Sequence, residues 1–342
     1  MTLMDAETAR SLLNFAEEGG PGLRGLEANA LLQQLEKKYG DMKLAMWWFI
    51  ERGYATEVFR LASSLVPFWM ATKRLDEGSD WFDLVLGVPG GDDVHRGRAA
   101  FEAGYLAFWR GDYERSLSLQ NRAVELGRQT SNSTVTALAL VGLARIALRT
   151  NVEEARRLCH EALAVTDGTT DQVGRSSAMH VLAVTAQMAG DLPTASQLMS
   201  QRIALAREMG NFATISIESN NLSMVKRQLG NIDEAEALSC EALEISYKRG
   251  DSSAIPWNLN GLAATAAAQC EFDRAAMLIG AADAAMQASG GAWPPDELAH
   301  YERTVTQLTD QMGAAEFERQ RAAGYAISTC QAVEFALSVN CI

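Results

Sequence analysis

The sequence predicts an all-α chain of about six stacked helical hairpins, with further helices closing each end, and three observations carry that prediction. The turn dipeptides Gly111-Asp112, Thr150-Asn151, Gly190-Asp191, Gly230-Asn231 and Cys270-Glu271 recur at intervals of 39, 40, 40 and 40 residues. Small residues keep step with them at Ser116, Ala155, Ala195, Ala235 and Ala275. Between these marks apolar residues follow helical spacing, and no sustained period-two alternation predicts a strand.

Each element has a local reason. Gly-Asp or Gly-Asn ends a first helix with a residue tolerant of positive φ and offers an N-cap to the second. A small residue once per helix lets the two helices approach closely. The series Ala123, Ala162, Arg202, Ala242, Ala282 repeats this on the second helix, with Arg202 the exception. Gly104, Gly142, Ala183, Ser223 and Ala263 repeat it on the first. Gly210, Gly250 and Gly290, again 40 residues apart, read as C-caps before the next hairpin. An earlier hairpin is predicted from Thr56–Thr72 and Leu75–Leu86, with Gly78 at the small position. Residues 1–55 are expected to cap the array through helices at Leu26–Lys38 and Asp41–Arg52, and 56–290 to hold the six hairpins. Residues 291–342 are expected to close the other end, with a helix start at Pro294-Pro295-Asp296-Glu297 and helices near Asp296–Met312, Ala314–Ala323 and Gln331–Ser338.

This pattern resembles the tetratricopeptide repeat, a helix–turn–helix unit stacked into a right-handed superhelix. The flanks are similar to something narrower. Phe15-Ala16-Glu17-Glu18, Pro21-Gly22-Leu23-Arg24-Gly25, Leu35-Glu36-Lys37-Lys38-Tyr39, the helix from Trp47 to Gly53, and Glu77-Gly78-Ser79-Asp80-Trp81 follow one another at the start. Ala276-Met277-Leu278-Ile279-Gly280, Tyr301-Glu302 and Ala322-Ala323-Gly324 follow at the end. In this order they resemble the C-terminal repeat region of large bacterial ATP-dependent transcriptional regulators of the LuxR and antibiotic-regulator type, over residues 12–338. The resemblance implies a sensing role beside an ATPase and a DNA-binding domain. Neither the GxxxxGK[ST] phosphate loop nor a compact basic helix-turn-helix occurs here, so that switch chemistry is not expected within this chain.

Composition narrows the function. A net charge of −13 repels a phosphate backbone, so no direct nucleic-acid partner is expected, and a basic or neutral partner segment is favoured. No apolar run approaches a membrane span and no export signal is read at the start, which predicts a cytoplasmic chain with its five cysteines as reduced thiols. No HxxxH, HExxH, GxSxG or zinc spacing is present, so no metal, cofactor or catalytic residue is assigned.

The first helix of each hairpin is expected to line a groove in which repeats align equivalent positions. One row reads Phe101, His180, Asn220 and Asn260; the next contains Tyr105 and Met224; a third contains Phe108 and Arg227, with Trp257 nearby. An asparagine offers both a donor and an acceptor to an extended peptide backbone, as in the amide ladders of peptide-sensing regulators that this row resembles. The same residues can equally line a water-filled groove. Phe101, Tyr105 and Phe108 share a helix face that suits a ligand side chain or inter-repeat core, whereas Trp109 is assigned to core. The expected function is capture of a peptide, protein segment or small effector. The alternative is a closed cavity that binds or transforms an apolar small molecule, with His180 or Tyr105 as acid or base.

Overall fold

The computed structural model of the protein describes residues 4–293 and 295–338, without the side chains of 295–297. It contains 17 α-helices and no strand among the described residues. They fall into two compact units, Met1–Ala189 and Gly190–Ile342.

The first unit holds α1 (Ala6–Gly22), α2 (Ala28–Glu51), α3 (Ala55–Ala71), α4 (Leu75–Leu86), α5 (Asp93–Trp109), α6 (Tyr113–Gln129), α7 (Ser133–Ala147), α8 (Val152–Thr166) and α9 (Gln172–Met188). Its core gathers Leu13, Met42, Phe49, Phe59, Phe68 and Trp69 from α1, α2 and α3, with Phe82 of α4 behind them. Two N-terminal features differ from expectation. The two helices expected within 26–52 are one, α2 at Ala28–Glu51, because Gly40 lies on its exposed side and needs no positive φ there. Ahead of it stands α1, which the hairpin periodicity did not predict; Asp5 caps it by accepting from the Thr8 N–H.

The hairpins follow the small-residue series. Ser116, Ala155, Ala195, Ala235 and Ala275 are all fully buried. Gly111, Gly190 and Gly230 take positive φ at the turns, and Gly210, Gly250 and Gly290 do so after the second helices. Cys270 adopts φ of 63° in the place the others give to glycine. Trp109, expected in the core, is instead half exposed, packed edge-on against Tyr105 and Phe108.

The second unit holds α10 (Leu192–Glu208), α11 (Phe212–Gln228), α12 (Ile232–Arg249), α13 (Ile255–Ala268), α14 (Phe272–Ala288), α15 (Pro295–Met312), α16 (Ala314–Tyr325) and α17 (Thr329–Leu337). Arg202, the break in the alanine series, forms an ion pair with the buried Glu218 of α11. The anticipated helix start is described only from Pro295, since residue 294 and the side chains at 295–297 lie outside the described residues. Helices α14 and α16 cross at two glycines: a Cβ on Gly280 would lie 1.9 Å from the Arg321 carbonyl oxygen, and one on Gly324 would lie 1.9 Å from that of Met277. Cys159, Cys270 and Cys330 are free thiols, as expected. Cys240 is not, being disulfide-bonded, and Cys341 lies outside the described residues. No helix among the described residues is long and apolar enough to cross a membrane.

Candidate functional site

A polar seam sets α11, α12 and α13 in register. The Ser216 hydroxyl donates to the Ala242 carbonyl at 3.0 Å and lies 2.6 Å from the Ser246 hydroxyl. Asn258 donates to the Ala242 carbonyl at 3.1 Å and to the Ser246 hydroxyl at 2.9 Å. Ser223 and Ser239 meet at 2.6 Å. With these buried polar groups satisfied on one side, the other side of α11 and α13 faces a cleft.

That cleft has a volume of about 280 Å3. Helix α11 contributes Asn220, Met224, Arg227 and Gln228; α13 contributes Trp257, Asn260, Gly261, Ala264 and Ala268; α15 contributes His300, Arg303, Thr304 and Gln307. The Arg227 guanidinium bridges two of these helices, donating to the Ser223 hydroxyl at 3.5 Å, the Gly261 carbonyl at 3.3 Å and the Thr265 hydroxyl at 3.4 Å. Gly261 leaves room for the Asn220 side chain of the neighbouring helix: a Cβ there would sit 2.5 Å from Asn220 Oδ1. The side-chain carbonyl oxygens of Asn220 and Asn260 are buried and accept no hydrogen bond. Buried polar atoms left in this state are uncommon and costly in a folded chain.

The third wall is held from behind. Tyr301 stacks on Trp293 at 5.2 Å, and Trp293 meets Trp257 at 6.3 Å. The Tyr301 hydroxyl donates to Asp283, and Arg321 donates to both. Burial first, then the Asp283 charge, push the Tyr301 phenol above its ordinary value, so it stays a neutral donor. Gln307 ties α15 to the Ala267 carbonyl of α13 at 3.5 Å.

Five residues singled out from the sequence, Asn220, Met224, Arg227, Trp257 and Asn260, thus line one cleft in the second unit. Phe101, Tyr105 and Phe108 stand together on α5 in the first unit, where Phe101 is buried and stacks on Tyr105 at 6.2 Å. The guanidinium groups of Arg98 and Arg145 lie over Phe101 and Tyr105. His180 is on α9, also in the first unit. His300, Arg303, Thr304 and Gln307 escaped the sequence reading because α15 stands outside the repeat period that aligned the others. Among the described residues no group of three or more His, Cys, Asp and Glu side chains is arranged to hold a metal.

No family model matches the chain. It is 38% identical over 56 residues to proteins named "Putative HTH-type transcriptional regulator" in Mycobacterium tuberculosis and Mycobacterium bovis, a match spanning 16% of this chain and 6% of theirs. Among solved structures, the quorum sensor NprR from B. thuringiensis superposes with a TM-score of 0.59 at 10% identity, over 94% of this chain and 88% of its own. A Rap protein complexed with Competence and Sporulation Factor gives 0.58 at 11% identity, over 96% and 99%. Aspartyl phosphate phosphatase F from Bacillus subtilis gives 0.52 at 12% identity, over 100% and 97%. At such identities the likeness establishes the fold alone: an all-α, tetratricopeptide-like α-solenoid class.

Proposed function

We propose that this chain is a non-catalytic sensing module that captures a peptide or an extended protein segment in the α11–α13–α15 cleft. In this reading it works as part of, or partner to, a bacterial transcriptional regulator. One observation carries the proposal: two buried amide oxygens one repeat apart, Asn220 Oδ1 and Asn260 Oδ1, line the same cleft and have no partner. An extended backbone presents N–H donors along its length and satisfies such acceptors, which a purely apolar ligand does not. Neighbours in fold add support by their names, one being a quorum sensor and one a Rap protein complexed with Competence and Sporulation Factor. The short mycobacterial match supports the link to transcriptional regulators.

The test is affinity selection from a pool of random pentapeptides on immobilised protein, read by mass spectrometry. Wild type is expected to enrich a subset, and Asn220→Ala combined with Asn260→Ala to lose it. Melting of the double variant should not fall much, because truncation also removes two unsatisfied buried acceptors, each of which costs about 1–3 kcal/mol. Equal enrichment by the double variant would reject the reading.

A further inference from the structure

The face of α11 that carries Asn220 also carries a large apolar side chain left in solvent. Ile217 is 53% exposed in the second turn of the helix, where a β-branched residue gains nothing in helix propensity and little from burial. It stands one turn before Asn220, and in line with Met224 two turns on. Helix α13 repeats the arrangement 40 residues later, with Trp257, partly exposed, then Asn260 and Ala264. The two asparagines are thus flanked by two apolar rows, Ile217 with Trp257 on one edge and Met224 with Ala264 on the other.

Neighbouring packed helices lie about 8–10 Å apart, so an extended chain passing from Asn220 to Asn260 covers the step in about three residues. With its N–H groups turned to the two amide oxygens, its side chains alternate between the two edges. Resting on the peptide-capture reading above, we infer that the captured segment carries bulky apolar side chains at two alternate positions, which pack on Ile217 and Trp257. The side chain between them turns to Met224 and Ala264. The asparagines read backbone, which every sequence presents, so the discrimination between sequences falls to the edges. Ile217 is the residue that sets it at one of the two alternate positions. The ligand class is an extended segment with the pattern apolar, any, apolar, the pattern of a strand with one greasy face.

The experiment sequences the random pentapeptides retained by wild type and by variants at 217, using tandem mass spectrometry. Wild type is expected to favour Leu, Ile, Val, Met or Phe over Ser, Asn or Gln at alternate positions by about tenfold, the scale of one large apolar side chain buried. Ile217→Lys should bring that ratio to within about twofold at one of the two positions and raise Asp and Glu there, an exchange that a merely structural change in α11 does not produce. Ile217→Leu should keep the wild-type pattern, and so should Leu117→Lys, which alters an exposed site on α6. Ile217 is exposed, and circular dichroism confirms that its variants fold. Enrichment by wild type without an alternating apolar preference overturns the edge assignment and leaves peptide capture standing. So does an Ile217→Lys variant that selects the same peptides as wild type. Enrichment of nothing by wild type rejects peptide capture, and the inference falls with it.

Discussion

Replacing glycine by alanine at two helical positions should move stability in opposite directions. At Gly280 an added Cβ would meet the Arg321 carbonyl oxygen at 1.9 Å, whereas ordinary contact begins at 3.4 Å. The obstacle is backbone, so no side chain can swing aside, and α14 and α16 must separate by about 1.5 Å or distort. Overpacking of this kind costs about 3 kcal/mol, and the better helix propensity of alanine returns about 1 kcal/mol, leaving a net loss of about 2 kcal/mol. For a cooperative unit of this size that is a fall of roughly 4–8 °C in Tm. Gly40 is the control. It lies in mid-α2, and a Cβ there would meet nothing within 4 Å. Gly40→Ala should therefore stabilise by about 0.5–1 kcal/mol. Thermal and denaturant melts followed by circular dichroism read both. A Gly280→Ala variant that melts at or above wild type would show that α14 and α16 do not meet as described.

Two further outcomes are expected. Arg202→Ala removes a charged hydrogen-bond partner of the fully buried Glu218 and should cost about 1–3 kcal/mol; a variant within about 0.5 kcal/mol of wild type in denaturant melts would contradict the pairing. Asp92 caps α5, accepting from the His95 N–H at 2.9 Å and the Thr56 hydroxyl at 2.9 Å. Partial burial raises its carboxyl, but the His95 and Thr56 bonds outweigh this and hold it below the ordinary 3.8. The folded state therefore gains from the ionised form above that value and loses the gain as pH falls through the lowered one. Asp92→Ala should cost about 1 kcal/mol near neutrality, with the gap closing in melts below pH 3.8; a gap that widens in acid would refute the cap.

The hairpins were legible because their turns demand unusual backbone. Gly111, Gly190 and Gly230 occupy φ values that other residues rarely adopt, and this demand recurs once per hairpin. The break expected between Lys38 and Asp41 is absent, since Gly40 sits on the solvent side of one long helix. Trp109 misled because its size suggests core, while Tyr105 and Phe108 support it at the surface. Half of the cleft was equally readable, since Asn220 and Asn260 are 40 residues apart on equivalent helices. Its other half was not. Where α15 docks depends on Tyr301, Asp283 and Arg321 meeting across three helices, and no spacing along the chain encodes that meeting.

Gln120 is a wedge shared by two neighbours. A Cβ on Gly104 of α5 would come within 2.7 Å of its amide, and one on Gly142 of α7 within 2.5 Å. The glutamine is almost wholly buried and donates to the Phe101 carbonyl at 3.3 Å. Modules that look interchangeable in outline are thereby keyed, one tooth fitting notches on both sides. Shuffling the α7–α8 hairpin to another slot would set the Gly142 notch against a lining without its tooth. The modular chain can lengthen by copying only where the key is copied with it.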